Sequence, residues 1–257
     1  MQKRLPPRCW LVPRPGAFAR LAGASLLLFS LTSARAEEAA CIAGSAFEHG
    51  AKLASLDSGS DRKLEVLAIG SSSTEGIGAT SPANAYPARL EAELSHEDGI
   101  AAVVRNAGVG GELAAKTLLR LKDALKTRWA ELVIWQVGTN DALVGVDEAS
   151  FRATVESGVE AARDAGVPLL LVGPQFTEKC PDAARYERFV KIVDDIGARD
   201  RVPVLDRYAI MKRWRADHAN TLGALLSQDG LHMSDLGYRC LAHILAETIE
   251  NAAGAKL

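Results

Sequence analysis

The chain has 257 residues, of which 48% are hydrophobic, and this is enough to form one sizeable buried core. It carries 30 basic and 32 acidic residues, and six of the basic residues lie in the first 36 positions, which contain no acidic residue. Without that segment the formal charge is −8, which disfavours contact with nucleic-acid phosphates and anionic membrane surfaces. We therefore expect no nucleic-acid partner.

The first 36 residues are typical of a secretory signal peptide. A basic segment precedes an apolar stretch, Leu21–Leu31, and Ala34-Arg35-Ala36 then matches an A-x-A cleavage pattern. The stretch is too short to span a bilayer comfortably, so cleavage near Ala36 is favoured over the alternative of a retained anchor. Because no second apolar run of membrane length follows, we expect a periplasmic or secreted protein without stable membrane insertion.

The predicted mature chain keeps three of the four cysteines. Cys9 leaves with the leader, and Cys41, Cys180 and Cys240 remain, so at most one intramolecular disulfide can form in an oxidising compartment. We predict that Cys41 pairs with Cys240 and ties the N-terminal tail to the last helix. None of the cysteines has metal-ligand spacing, so we expect no metal site.

Apolar and helical segments alternate along the chain. Residues 37–62 predict a tail or short helix before a single domain over 63–257. Strands are predicted at Leu64–Ile69, Ala102–Arg105, Leu132–Val137, Pro168–Val172 and Val202–Leu205. Helices are predicted at Ala85–Leu94, Ala114–Trp129, Glu148–Ala165, Asp182–Arg199 and Ser234–Ala252, with Ser234 as an N-cap. This pattern predicts an α/β fold, a three-layer α/β/α sandwich with a five-stranded parallel sheet covered on both faces.

Three polar loops follow predicted strands directly: Ser71–Thr74, Asn106–Gly111 and Gly138–Asp141. Ligand sites in open α/β sheets lie beyond the carboxyl ends of the strands, so we expect these loops to meet at one edge of the sheet. The first is a serine turn between glycines, where a hydroxyl can lie beside backbone N–H groups. A phosphate-binding or purely structural turn is the alternative, although no Gly-Lys-Ser/Thr follows, as a nucleotide P-loop requires.

Near the end of the chain, Asp229 precedes His232 by three residues, close enough for the carboxylate to hold one imidazole tautomer. His232 would then accept a serine proton and return it to a leaving group. Among the five histidines, His232 alone combines a carboxylate at this spacing with a following helix start, and the other four suit surface or core positions. Asn140 and Gly111 are candidate oxyanion donors, the first from its side-chain amide and the second from its backbone N–H. Ordinary turns are the alternative for both, since Asn and Gly are common there.

Residues after the fourth predicted strand are candidates for a pocket wall. Gln175 and Phe176 lie there. Tyr208, Met211 and Trp214 recur at helical spacing, which favours a place in the core over an acyl-binding wall.

The chain thus carries four short sequence blocks: the serine turn, Asn106–Gly111, Gly138–Asp141 and Asp229–His232. In this order they resemble the four blocks of the SGNH/GDSL hydrolase superfamily, and in particular its exported bacterial lysophospholipase/esterase-like branch. The resemblance implies a flavodoxin-like fold, with Ser72 as nucleophile and Asp229 and His232 completing a triad. It implies Gly111 and Asn140 as the oxyanion donors.

The resemblance covers 64–238 and includes Tyr86-Pro87-Ala88-Arg89-Leu90, which is similar to the helix after the nucleophile turn. The family usually has Asp before the nucleophile and Leu after it, where this chain has Ser71 and Ser73. A serine hydroxyl braces the turn more weakly than a carboxylate does.

These features predict an exported serine esterase that cleaves carboxylic esters through an acyl-enzyme, without a cofactor. Short acyl chains are slightly favoured, because the sequence shows no long lid insertion. The partner is then a small-molecule or glycan ester, and the sequence carries no signal for an oligomeric state. The alternatives are a polysaccharide O-acyl esterase or acyltransferase, and a non-catalytic glycan- or lipid-binding module on the same scaffold.

Overall fold

The computed structural model describes Cys41 and residues 63–95, 101–180, 182–217 and 223–253. The predicted signal peptide, residues 1–36, lies outside the described residues, as does all of the predicted tail except Cys41. Five parallel strands form one sheet in the order β2-β1-β3-β4-β5. They are β1 (Leu64–Gly70), β2 (Ala102–Gly108), β3 (Leu132–Gln136), β4 (Leu169–Val172) and β5 (Val204–Leu205). This is the flavodoxin-like order, so the predicted fold is confirmed.

Helices connect the strands and cover the sheet. They are α1 (Ser72–Glu75), α2 (Tyr86–Leu94), α3 (Ala114–Lys126), α4 (Thr139–Val144), α5 (Glu148–Ala165), α6 (Ala183–Asp200), α7 (Arg207–Asp217) and α8 (Asp235–Ala253). A short 3-10 turn, Pro82–Asn84, precedes α2. Within the described residues, no helix combines the length and the apolar character needed to cross a membrane.

The sheet separates two hydrophobic clusters, because successive side chains of a strand point to opposite faces. In β1, Val66 and Ala68 pack with α2, α7 and α8, whereas Leu67 and Ile69 pack with α3, α5 and α6. The two clusters make the fold a three-layer sandwich. Most strand residues are buried, since helices cover both sides of the central strands.

Two strands differ from the prediction. β2 lies at an edge of the sheet and is not covered on both faces, because Val103 and Arg105 are exposed. The Arg105 guanidinium lies 4.0 Å from the ring centre of Trp129 and so covers part of this edge. β5 has two residues instead of the predicted four and pairs only with the end of β4.

Three helices of the structure, α1, α4 and α7, were not predicted. Gly138, with φ of +97°, turns the chain directly from β3 into α4, which is too short to show helical periodicity. The helix α7 is rich in charged residues, but Met211 and Trp214 on it are buried, as their spacing predicts. Tyr208, the third residue of that set, is half-buried and its hydroxyl donates to the Glu187 carboxylate at 2.8 Å, so a core position is confirmed for two of the three. Ser234 is the N-cap of α8, because its hydroxyl accepts a hydrogen bond from the Gly237 N–H at 3.3 Å.

The predicted disulfide is present. Cys41 and Cys240 are bonded to each other, and both are buried against the α8 side of the sheet. Cys180 is a free, half-buried thiol. The disulfide therefore joins the N-terminal region to the helix that follows His232.

Candidate active site

The serine turn is tightly packed where β1 ends. A Cβ atom on Gly70 would lie 2.4 Å from the Thr74 hydroxyl and 2.8 Å from the Gln136 amide oxygen, so only glycine fits. The turn leads directly into α1, whose first residue is Ser72. Gly76, with φ of +101°, ends this helix after one turn. The chain thus presents Ser72 at the carboxyl edge of the sheet.

The hydroxyls of the three consecutive serines have different partners. Ser71 donates to the Gln136 amide oxygen at 3.0 Å, from its hydroxyl, and at 2.9 Å from its backbone N–H. Ser73 donates to the Gln175 amide oxygen at 3.3 Å. Both hydroxyls are buried and occupied by these contacts. Ser72 is the half-buried member of the three, and its hydroxyl lies next to the histidine described below.

Ser72, His232 and Asp229 form a continuous hydrogen-bonded chain. The His232 Nε2 atom lies 2.9 Å from the Ser72 Oγ, and the His232 Nδ1 atom lies 2.6 Å from an Asp229 carboxylate oxygen. Residues separated by 160 positions therefore meet, as predicted. A serine hydroxyl, an imidazole and a carboxylate in this sequence are the arrangement that activates a serine nucleophile.

The Asp229 carboxylate is held by its own turn. The oxygen that does not face the imidazole accepts hydrogen bonds from the Ser227 hydroxyl at 2.8 Å, the Leu231 N–H at 2.8 Å and the His232 N–H at 2.9 Å. Burial opposes ionisation of Asp229, but the hydrogen bonds from His232, Leu231 and Ser227 outweigh it and hold its pKa well below the usual range. The Asp229 carboxylate is therefore ionised at neutral pH.

The loop that carries Asp229 and His232 is closed at its base. Leu226 and Met233 form an antiparallel bridge, and the Ser227 N–H donates to the His232 carbonyl at 2.8 Å. The segment after α1 packs against this loop, since a Cβ atom on Gly78 would lie 2.5 Å from the Met233 carbonyl oxygen. The histidine is thus placed by contacts on both sides.

The segments Asn106–Gly111 and Gly138–Asp141 stand at the ends of β2 and β3, the strands on either side of β1, and they are joined to each other. The Asn140 amide donates to the Glu112 carbonyl at 2.9 Å, and Glu112 follows Gly111. Gly111 has φ of +74° and is exposed, with no atom within 4 Å of a Cβ built on it. The Asp141 carboxylate accepts from the Ala114 N–H at 3.1 and 3.2 Å and so caps α3. Burial raises the pKa of Asp141, against the effect of the Ala114 hydrogen bond.

Close packing fixes the end of β2 against α1. A Cβ atom on Gly108 would lie 2.0 Å from the backbone nitrogen of Glu75. The Glu75 carboxylate accepts a hydrogen bond from the Gly110 N–H at 2.6 Å. Arg120, on α3, pairs with the Glu112 carboxylate at 2.6 Å, so the segment 109–113 is also held against α3.

The two candidate pocket residues have different surroundings. Gln175 is buried, and protein groups occupy both ends of its side-chain amide. Phe176 is half-buried and lies edge-on to the Tyr208 ring at 5.6 Å between ring centres. Among the described residues, no group of three or more His, Cys, Asp or Glu side chains is placed to hold a metal ion.

Sequence reasoning missed Gln136 and Arg207, which lie beneath the site. Gln136 braces the serine turn from the end of β3. The Arg207 guanidinium is fully buried and donates to the Thr139 hydroxyl at 3.3 Å, and burial lowers its pKa. Neither residue carries a local signal, because each acts through contacts with distant parts of the chain.

The position of these residues in the sheet defines a class of protein. Ser72 follows β1 and Asn140 follows β3, the neighbouring strands between which the strand order reverses, where ligands bind in doubly wound sheets. A flavodoxin-like sheet with a Ser-His-Asp chain at this point is the architecture of the SGNH/GDSL hydrolase superfamily.

Comparison with known proteins agrees with this class. The chain is 25% identical to Esterase TesA of Pseudomonas aeruginosa over 168 residues, 65% of this chain and 78% of that protein. Its fold is similar to that of the SGNH-hydrolase family esterase AlinE4 (26% identity, TM-score 0.56, 74% of this chain and 97% of the other). It is also similar to a lipase/acylhydrolase from Enterococcus faecalis (24% identity, TM-score 0.65, 76% and 99%). The sequence model of the non-GDSL lipase-like family matches residues 42–255, and the chain belongs to that family.

Proposed function

We propose that this carboxylic ester hydrolase cleaves its substrate through an acyl-enzyme on Ser72. The hydrogen bond of 2.9 Å between the Ser72 hydroxyl and His232 carries the proposal. As the Ser72 oxygen attacks the ester carbonyl carbon, His232 Nε2 takes the hydroxyl proton, and ionised Asp229 stabilises the imidazolium. His232 then returns the proton to the departing alkoxide. Water attacks the acyl-enzyme by the same route, releasing the acid and restoring the Ser72 hydroxyl.

Three donors are proposed to bind the negative charge that develops on the carbonyl oxygen. They are the backbone N–H groups of Ser72 and Gly111 and the side-chain amide of Asn140. Gly111 is exposed, and the position that a Cβ atom would take on it has no other atom within 4 Å, which leaves room for a substrate carbonyl. The contact from Asn140 to the Glu112 carbonyl fixes the amide beside the Gly111 loop, and such fixed donors stabilise an oxyanion without reorganising during the reaction.

The enzyme is proposed to act in the periplasm or outside the cell, after cleavage near Ala36. The signal-peptide pattern at the N-terminus supports this location, and so does the disulfide between Cys41 and Cys240. Structural disulfides persist in oxidising compartments and are rare in a reducing cytosol. The substrate is then an ester that reaches the envelope or the medium.

Esters with short acyl chains are the proposed substrates. The segments that join the strands to the following helices at this edge are short: 109–113 after β2, 137–138 after β3 and 173–182 after β4. Among the residues of these segments that the structure describes, which leave out residue 181, none form a separate lid over a long apolar tunnel. A series of p-nitrophenyl esters of increasing acyl length should therefore show its highest kcat/KM at acetate or butyrate.

The decisive experiment compares the three serines of the turn. Ser72→Ala should abolish hydrolysis of p-nitrophenyl acetate and labelling by a fluorophosphonate while the circular dichroism spectrum is unchanged. Ser71→Ala and Ser73→Ala remove neighbouring hydroxyls from the same turn, and both variants should still be labelled. Full activity in Ser72→Ala would overturn the proposed mechanism.

A further inference from the structure

Gln175 contacts three loops of the candidate site at once. Its side-chain oxygen accepts from the Ser73 hydroxyl at 3.3 Å, and its side-chain nitrogen donates to the Leu231 carbonyl. Its backbone N–H donates to the Thr139 hydroxyl at 3.2 Å, and its carbonyl accepts from the Tyr186 hydroxyl at 2.7 Å. The residue is 1% exposed, so these contacts are made away from bulk water.

The side-chain amide of Gln175 lies between the two halves of the catalytic chain. One end binds the residue after Ser72, and the other end binds the carbonyl immediately before His232. The amide group is planar and its oxygen and nitrogen are a fixed distance apart. It therefore sets the separation between the serine turn and the histidine loop. In the sequence, Gln175 is 102 positions from Ser73 and 56 positions from Leu231.

Gln136 offers an instructive comparison. It is also a buried glutamine at the end of a strand, but its amide oxygen binds Ser71 and Thr74, which both belong to the serine turn. It stabilises one side of the catalytic chain only. The bridge between serine and histidine is a property of Gln175.

We infer that Gln175 is a positioning residue for the reaction, whose side-chain amide holds His232 in hydrogen-bond reach of Ser72. The inference rests on the proposed function. Its physical basis is that the rate of proton transfer depends steeply on the geometry of donor and acceptor, so that a displacement of about 1 Å can cost about 10²-fold in rate. The residue touches no reacting atom and acts through the two loops.

The first variant removes both ends of the bridge. Gln175→Leu has a similar side-chain size but neither donor nor acceptor. For p-nitrophenyl butyrate we expect kcat to fall by about 10- to 100-fold, with KM changed by less than about threefold, because alignment and not substrate binding is lost. The measured kcat is divided by the fraction of folded enzyme, which is determined by circular dichroism at the assay temperature.

The second variant makes one end of the bridge depend on pH. In Gln175→Glu the side chain still accepts from Ser73, but when ionised it has no hydrogen to donate to the Leu231 carbonyl. Burial and the facing carbonyl raise the pKa of such a carboxyl, and its protonated form can donate. The ratio of variant to wild-type kcat should therefore fall by about tenfold between pH 6 and pH 9, as the bridge is lost. A role in stability alone gives a ratio for the folded enzyme that does not change with pH.

A matched control separates loss of the bridge from loss of any buried hydrogen bond. Tyr186→Phe removes the hydrogen bond to the backbone of Gln175 but leaves its amide in place. It should lower the midpoint of thermal unfolding while kcat per folded enzyme stays within about threefold of wild type.

Wild-type kcat per folded Gln175→Leu enzyme, or a pH-independent ratio for Gln175→Glu, would overturn the inference and leave the acyl-enzyme mechanism untouched. Should Gln175→Leu not fold, the pH series on Gln175→Glu decides alone. An active Ser72→Ala variant would instead remove the proposed function, and this inference with it.

Discussion

Asp229→Asn isolates the role of the carboxylate with the least change in shape. In the wild type, one carboxylate oxygen faces His232 Nδ1 at 2.6 Å, and the other accepts from Ser227 and from the backbone N–H groups of Leu231 and His232. The two backbone donors require an acceptor, so the asparagine oxygen stays with them. The asparagine NH₂ group then faces Nδ1, which must become the acceptor. The proton moves to Nε2, where the imidazole can no longer take the proton of Ser72.

These contacts also give the size of the effect. Turning the asparagine amide over would restore the tautomer but would leave two backbone N–H groups facing an NH₂ group, at about 1–3 kcal/mol each. A penalty of at least about 2 kcal/mol corresponds to a loss of roughly 30-fold in rate. Loss of the negative charge beside the imidazolium adds to this, and the same change in the chymotrypsin-type triad costs about 10⁴ in kcat. We expect a fall in kcat of about 10²–10⁴.

The assay is hydrolysis of p-nitrophenyl acetate, with kcat and KM measured separately. Asp147→Asn is the matched control, because Asp147 is also a hydrogen-bonded carboxylate with a lowered pKa, but it caps α5 instead of facing the histidine. The control should keep wild-type kcat. A kcat within about threefold of wild type in Asp229→Asn would refute the tautomer argument.

The lowered pKa of Asp229 adds a dependence of stability on pH. Because the pKa is lower in the folded state than in the unfolded state, the ionised carboxylate stabilises the fold above about pH 4, and this contribution is lost as the pH falls through the folded pKa. The difference in free energy of unfolding between wild type and Asp229→Asn should therefore be smaller at pH 3 than at pH 6. A difference that stays constant in urea titrations at the two pH values would contradict the assignment.

Two further predictions concern the disulfide and the oxyanion donor. Replacing Cys41 and Cys240 together by Ser opens a loop of 199 positions, and chain entropy predicts a loss of roughly 5 kcal/mol in the free energy of unfolding, measured with urea. Cys180→Ser removes the free thiol and should leave the midpoint of urea unfolding unchanged. An unchanged midpoint of urea unfolding in the double variant would count against the disulfide as a source of stability. Asn140→Ala should lower kcat by about 10²–10³ with a smaller change in KM, and kcat within about twofold of wild type would exclude Asn140 as a donor.

The fold could be predicted because its signals are local. The apolar runs of β1, β3 and β4 and the alternation with helices specify a parallel sheet, and strand ends mark where its loops meet. The exposure of β2 could not be read in the same way, because Val103 and Arg105 are exposed by the position of their strand at the sheet edge. Neither residue reveals that position in its own sequence neighbourhood.

The candidate site was predictable in part for a similar reason. Asp229 and His232 lie three residues apart and a serine turn follows a strand, so local spacing points to that pair and to the turn. The choice of Ser72 among the three serines of the turn came from the resemblance to the SGNH/GDSL superfamily. Gln175 was expected only to line a pocket, and Gln136 was not considered. Their contacts depend on how distant loops pack, which a single sequence does not specify.

The brace from Gln136 has a consequence for finding related sequences. Since this glutamine supports the turn from the end of β3, the turn is held in place with serine at position 71. A search for Gly-Asp-Ser therefore overlooks such proteins. A pattern that pairs Gly-x-Ser with a glutamine two residues before Gly-x-Asn selects proteins in which this glutamine can contact the serine turn.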